Sequence, residues 1–112
     1  MGFREELARE ARLREKRRGV RLNSRVRVAL EWKDDDAQNV REEAYTRIVG
    51  AFGCLLVLGR EMPLEQTIQV INLATEQANP AVVVWKGAEG ADGWEFGIEL
   101  LNPPADFWGL GL

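Results

Sequence analysis

Arg25-Val26-Arg27-Val28-Ala29-Leu30-Glu31-Trp32 is the stretch on which the fold turns. Val26, Val28, Leu30 and Trp32 alternate with Arg25, Arg27, Ala29 and Glu31. That period of two lines one face of a strand with apolar groups. Upstream the period is different. Residues 3–17 are rich in Glu, Arg, Leu and Ala, which favour helix. Glu5 with Arg9 and Glu10 with Arg14 are favourable i,i+4 pairs. The apolar stripe of this helix, Phe3, Leu7 and Ala11, is thin, so it is weakly anchored. Gly19 is the expected stop. It divides an N-terminal basic helical arm, residues 1–18, from a body, residues 19–112.

Downstream, strand signals recur. Lys33 to Asn39 is a polar turn, and Val40 to Val49 reads as a second strand. Gly50 to Gly53 is a tight turn before the almost wholly apolar Cys54 to Leu58. Met62-Pro63 interrupts the pattern, and Thr67 to Leu73 resumes it. Thr75 to Pro80 reads as a loop, Ala81 to Lys86 as a fifth strand and Gly87 to Gly93 as a flexible turn. Trp94, Phe96, Ile98 and Leu100 alternate in a sixth strand that Pro103-Pro104 ends. Trp32, Trp85, Trp94 and Phe96 are expected in the core. Ala105 to Leu112 is a short turn or tail. Its apolar end, Phe107-Trp108-Gly109-Leu110-Gly111-Leu112, either plugs an open end of the body or docks on a partner or a second copy, as a homodimer. Six short strands at this spacing form a mainly β, antiparallel barrel or sandwich.

Composition narrows the chemistry. The chain has 112 residues, enough for one domain with a modest core. It holds no histidine, which removes Ser-His-Asp and Cys-His catalysis. Its one cysteine, Cys54, closes no intrachain disulfide and builds no thiolate zinc site. Within an apolar strand Cys54 is an inert buried thiol. A reducing, cytoplasmic setting is expected, without membrane insertion. Asp34-Asp35-Asp36 lacks the spacing of a calcium loop and reads as a solvated turn. The run from Gly87 to Gly93 lacks the Lys and Ser/Thr of a phosphate loop, and Glu89 and Asp92 would repel phosphate. No catalytic motif stands out, so a non-enzymatic role is expected.

Charge is the sharper signal. Residues 1–31 carry ten Lys/Arg against five Asp/Glu, and residues 32–112 carry five against thirteen. A basic segment thus precedes an acidic body, and an anion is its natural ligand. Arg17 and Arg21 form an RxxxR pattern with Arg18 beside the first. Guanidinium groups bind phosphate bidentately, pair with the O6/N7 edge of guanine and stack on purines. The bland alternative is a solvated helix end and strand face.

The stretch "RRGVRLNSRVRVALEW", followed by "TRIVGAFGCLLVL", "AVVVWKG" and "GIELL", resembles a PilZ domain from about Arg17 to Leu101. The resemblance implies a six-stranded antiparallel split β-barrel and a receptor for cyclic di-GMP. Arg17, Arg18 and Arg21 match the family's arginine motif, which holds phosphates and guanines. The second motif is Asp or Asn, any residue, Ser, two residues, Gly. Aligned on Gly53, it places Ile48 at the Asp/Asn position and Gly50 at the Ser position, so only Gly53 is kept. Ile48 accepts no hydrogen bond from guanine N1 and N2, and Gly50 has no hydroxyl. Each donor left unpaired costs roughly 1–3 kcal/mol.

Two readings stand nearly level. One is a cyclic di-GMP receptor whose arm orders on binding and signals to a protein partner. The other is a PilZ-like interaction module that no longer binds the dinucleotide. A DNA or RNA binder is disfavoured by the acidic body and by the lack of interleaved exposed aromatic and basic residues.

Overall fold

A computed structural model describes residues 21–112. The helix expected over residues 3–17, and with it Arg17 and Arg18, lies outside the described residues. The body is all strand: β1 (Arg21–Leu22), β2 (Arg27–Lys33), β3 (Asn39–Gly50), β4 (Gly53–Leu58), β5 (Thr67–Asn72), β6 (Gln77–Gly90) and β7 (Gly93–Leu100). The sheet runs β1-β3-β2-β5-β6-β7-β4, and a β3–β4 pairing closes it. Every pairing is antiparallel. The result is a closed six-stranded barrel, β2 to β7, with β1 added beside the end of β3; a two-sheet sandwich is excluded.

Alternation supplies the interior. Val28, Leu30 and Trp32 of β2 face inward, as do Cys54, Leu56 and Leu58 of β4 and Phe96, Ile98 and Leu100 of β7. Closure leaves the barrel wall without a free ladder edge. Two residues of the tail join the core. Phe107 and Trp108 are 1% and 3% exposed and meet edge to face, ring centroids 5.0 Å apart. Buried Asn72 donates from Nδ2 to the carbonyls of Phe107 (3.1 Å) and Trp108 (3.4 Å). Trp108 Nε1 donates to the Gly50 carbonyl at 2.7 Å. Phe107 and Trp108 are thus part of the core, while Leu110 stays 40% exposed.

Three local readings need correction. The loop expected over Thr75 to Pro80 is shorter, because β6 begins at Gln77 and Pro80 pairs with Gln69. Proline is tolerated where its missing N–H breaks no ladder bond, and the Pro80 carbonyl still accepts from Leu101 N at 2.9 Å. The flexible turn expected over Gly87 to Gly93 is mostly strand, closed by Ala91-Asp92 alone. Gly93 takes φ +123°, and a Cβ there would lie 2.0 Å from the Leu58 carbonyl oxygen. Third, Trp85 is 48% exposed and not in the core. A bulge between Val83 and Trp85 inserts Val84, so both Val84 and Trp85 point outward.

The outer face of the β2–β3 hairpin is a charge ladder. Arg27 pairs with Glu43 at 2.7 Å and Arg41 with Glu31 at 2.5 Å. The Arg25 guanidinium lies 4.5 Å from the Tyr45 ring centroid. Arg25 and Arg27 of the basic cluster thus lie on a solvated face. Asp34 caps the hairpin turn, its Oδ1 accepting from the N–H groups of Asp36 and Gln38, both at 2.9 Å.

Candidate functional site

Cross-strand register builds the site. Arg21 pairs with Gly50, Gly50 with Gly53, Gly53 with Glu99 and Glu99 with Val82. Directly paired residues in an antiparallel sheet point to the same face. These five positions therefore form one outward row across β1, β3, β4, β7 and β6. Its middle is two bare glycines. A cation stands at one side of them and a carboxylate at the other, about 14 Å apart along the backbone at ~4.8 Å per strand.

A second outward row runs beside it, about 7 Å away. Ile48 pairs with Leu55, Leu55 with Gly97 and Gly97 with Trp85. Between the two rows, Val49, Cys54, Ile98 and Val83 point into the core. Both ends of the apolar row are set by bulges. The register shift between Thr46 and Ile48 leaves Arg47 unpaired in the ladder and turns Ile48 outward. The shift at Val84 does the same for Trp85. Bulges re-aim side chains in this way beside functional sites.

The two rows line an open groove of about 370 Å³ on the barrel wall. That volume falls at the low end of small-molecule sites, roughly 300–1,000 Å³. Small residues keep the groove open. A Cβ on Gly97 would come within 3.1 Å of Trp85 Cβ, and one on Gly87 within 2.9 Å of Trp85 Cη2. The Trp85 side chain thus lies against Gly87 and Gly97 and stays half exposed. Arg21 and Glu99 both have interaction partners within the chain.

Of the residues singled out in sequence, Arg21 and Gly53 meet at this groove, together with Ile48 and Gly50. Arg17 and Arg18 lie outside the described residues. Gly53 has a structural reason of its own, because a Cβ there would sit 2.2 Å from the Ile98 carbonyl oxygen. Sequence reasoning missed Trp85, Leu55 and Glu99. Alternation through Phe96, Ile98 and Leu100 does put Glu99 on the outer face, but only the register puts it beside Gly53. Cys54 borders the groove while its thiol stays buried, and burial pushes its pKa up to about 12.

Among the described residues no three or more His, Cys, Asp or Glu side chains gather as a metal site. No helix among them is long and apolar enough to cross a membrane. Comparison with protein-family models, curated proteins and solved structures returns no match.

Proposed function

We propose that this chain is a PilZ-type, non-enzymatic signalling domain that takes cyclic di-GMP into the outer groove and relays its occupancy to a protein partner. The observation that carries the reading is the row Arg21, Gly50, Gly53. Motif alignment draws these residues from two separate stretches of sequence, and they stand side by side at one concave surface. Arg21 suits a phosphate or the O6/N7 edge of guanine. Trp85 offers a half-exposed indole face, and base–aromatic stacking is worth about 1–3 kcal/mol. Arg17 and Arg18 belong to the same site on the resemblance alone. The Trp108 bond to the Gly50 carbonyl ties the groove floor to the C-terminal tail, which provides a route for the relay.

One observation favours a second reading. Ile48 brings an apolar side chain, not an acceptor, to the groove wall. A PilZ-like module without its nucleotide would present Ile48, Leu55 and Trp85 to a protein instead.

Calorimetric titration with cyclic di-GMP decides between them, with Arg17→Ala and Arg21→Ala as controls. Micromolar binding weakened tenfold or more by each substitution is the expected result, the loss of a charge-assisted hydrogen bond of about 1.5–3 kcal/mol. No heat and no thermal shift at millimolar ligand overturns the receptor reading and leaves the interaction module. Binding that survives both substitutions but vanishes with salt reports nonspecific attraction.

A further inference from the structure

We infer that Glu99 is the specificity-determining acceptor of the groove and selects a guanine base. This rests on the reading of the groove as a nucleotide site. It goes further by naming the residue that reads the base.

Glu99 faces outward on β7, half buried, directly beside Gly53, which carries no side chain. Across the two glycines stands Arg21, and in the neighbouring row lie Leu55, Gly97 and Trp85. The groove thus offers a cation, a bare floor, an apolar and aromatic strip, and a carboxylate. Among nucleobases this set matches guanine best. Guanine carries two adjacent donors, N1–H and an N2 amino hydrogen, on its Watson–Crick edge. A carboxylate accepts both in a near-parallel pair, the arrangement that makes Arg–carboxylate contacts strong. Adenine turns an acceptor, N1, toward the same position, so a carboxylate repels it. A site built to hydrogen-bond its ligand rejects analogues that leave its polar groups unpaired.

Glu99 has a partner within the chain, and the inference does not require otherwise. A carboxylate has about four lone-pair sites, and the two guanine donors would share its oxygens with the existing partner or displace it. The other carboxylate on the outer face of β7, Glu95, is held by Arg47 at 2.8 Å.

The test compares guanosine, inosine and adenosine monophosphates, and then cyclic di-GMP against cyclic di-AMP, on the full chain by calorimetry. Inosine keeps N1–H and lacks the N2 amino group, which grades the series. The wild type is expected to bind in the order guanosine, inosine, adenosine, spanning at least about tenfold. Glu99→Gln removes a negative charge, which raises the affinity of every anionic nucleotide, so the readout is the preference ratio. In Glu99→Gln the guanosine-to-adenosine ratio is expected to fall close to one. Glu95→Gln removes the same charge from the same strand and is expected to keep the wild-type ratio. An unchanged ratio in Glu99→Gln overturns the role of Glu99 and leaves the receptor reading standing. An equal collapse in Glu95→Gln also overturns it, because charge alone would then set the preference. Selective guanosine monophosphate binding that depends on Glu99, without cyclic di-GMP binding, supports Glu99 and overturns the dinucleotide. No binding of any guanine nucleotide at millimolar concentration overturns both.

Discussion

Gly53→Ala should destabilise the barrel severely, for a reason that has nothing to do with a ligand. The added Cβ would lie 2.2 Å from the Ile98 carbonyl oxygen and 3.3 Å from its carbon. Ordinary contact begins near 3.4 Å, so the methyl is about 1.2 Å too close. The obstacle is backbone, and no rotamer change relieves it. Ile98 is held on both sides, by Cys54 of β4 and Val83 of β6, so β7 cannot retreat without opening the closed wall. Overpacking costs about 1–3 kcal/mol and occasionally more, and a clash with immobile backbone belongs at the upper end. About 3 kcal/mol corresponds to a Tm drop of roughly 12–24 °C for a domain of this size, at ~4–8 °C per kcal/mol. Two other glycines calibrate the measurement. A Cβ added at Gly97 would come nearest to the Trp85 side chain, 3.1 Å away, and one added at Gly59 would meet nothing within 4 Å. Gly97→Ala should cost less than Gly53→Ala. Gly59→Ala should be neutral or stabilise by up to about 1 kcal/mol. Urea denaturation followed by tryptophan fluorescence measures all three. A Gly53→Ala protein within about 0.5 kcal/mol of wild type, the range of an innocuous surface change, would refute the close approach of β4 and β7. With it would go the register that places Glu99 beside Gly53. The expected result also limits what this glycine can report about binding, since lost affinity in Gly53→Ala would follow from lost structure.

Three further outcomes follow from the core and the tail. Trp108→Phe removes the side-chain hydrogen bond to the Gly50 carbonyl; a loss of about 0.5–1.5 kcal/mol is expected in urea denaturation. Asp106 titrates at an acidic pH that lies below the ordinary carboxylate range. Desolvation acts to raise its pKa, but the backbone N–H groups of Leu112, Gly111, Leu110 and Gly109 together outweigh it. A lowered folded-state pKa contributes stability above the unfolded value that is lost as pH falls through the folded one. Acidification below about pH 4, the unfolded carboxylate's range, should therefore loosen residues 106–112, seen as amide exchange, and Asp106→Asn should remove that pH dependence. The Cys54 thiol, with its pKa pushed up to about 12, should resist a thiol reagent in mildly alkaline buffer in the native state and react at the rate of unfolding; rapid labelling without urea would contradict its burial.

The strands were legible wherever burial follows a period of two. Val28, Leu30 and Trp32 read correctly as inward, as did Phe96, Ile98 and Leu100. Propensity failed at Pro80, which looks like a breaker in isolation. Its carbonyl serves Leu101 N and its neighbour Asn79 donates from Nδ2 to the Leu101 carbonyl at 3.0 Å, so tertiary contacts carry the strand through. The tail was legible in part. The apolar pair Phe107-Trp108 needed a place to be buried, but Asn72 and the Gly50 carbonyl, which hold it there, are distant in sequence.

The groove was only half legible, because it is made from departures from the regular pattern. Local alternation puts Trp85 on the same face as Val83 and Ala81, and hence in the core. One extra residue, Val84, reverses that parity, and a one-residue slip moves a side chain to the other face. The bulge at Arg47 acts likewise on Ile48. No local feature of either strand announces the extra residue; each bulge is defined only by the partner strand it fails to match. The row Arg21, Gly50, Gly53, Glu99 has the same origin, since it joins residues nearly eighty positions apart through four successive strands. Motifs along the chain could pick out Arg21 and Gly53. Only the closed sheet brings Glu99 and Trp85 to the same groove as Arg21 and Gly53.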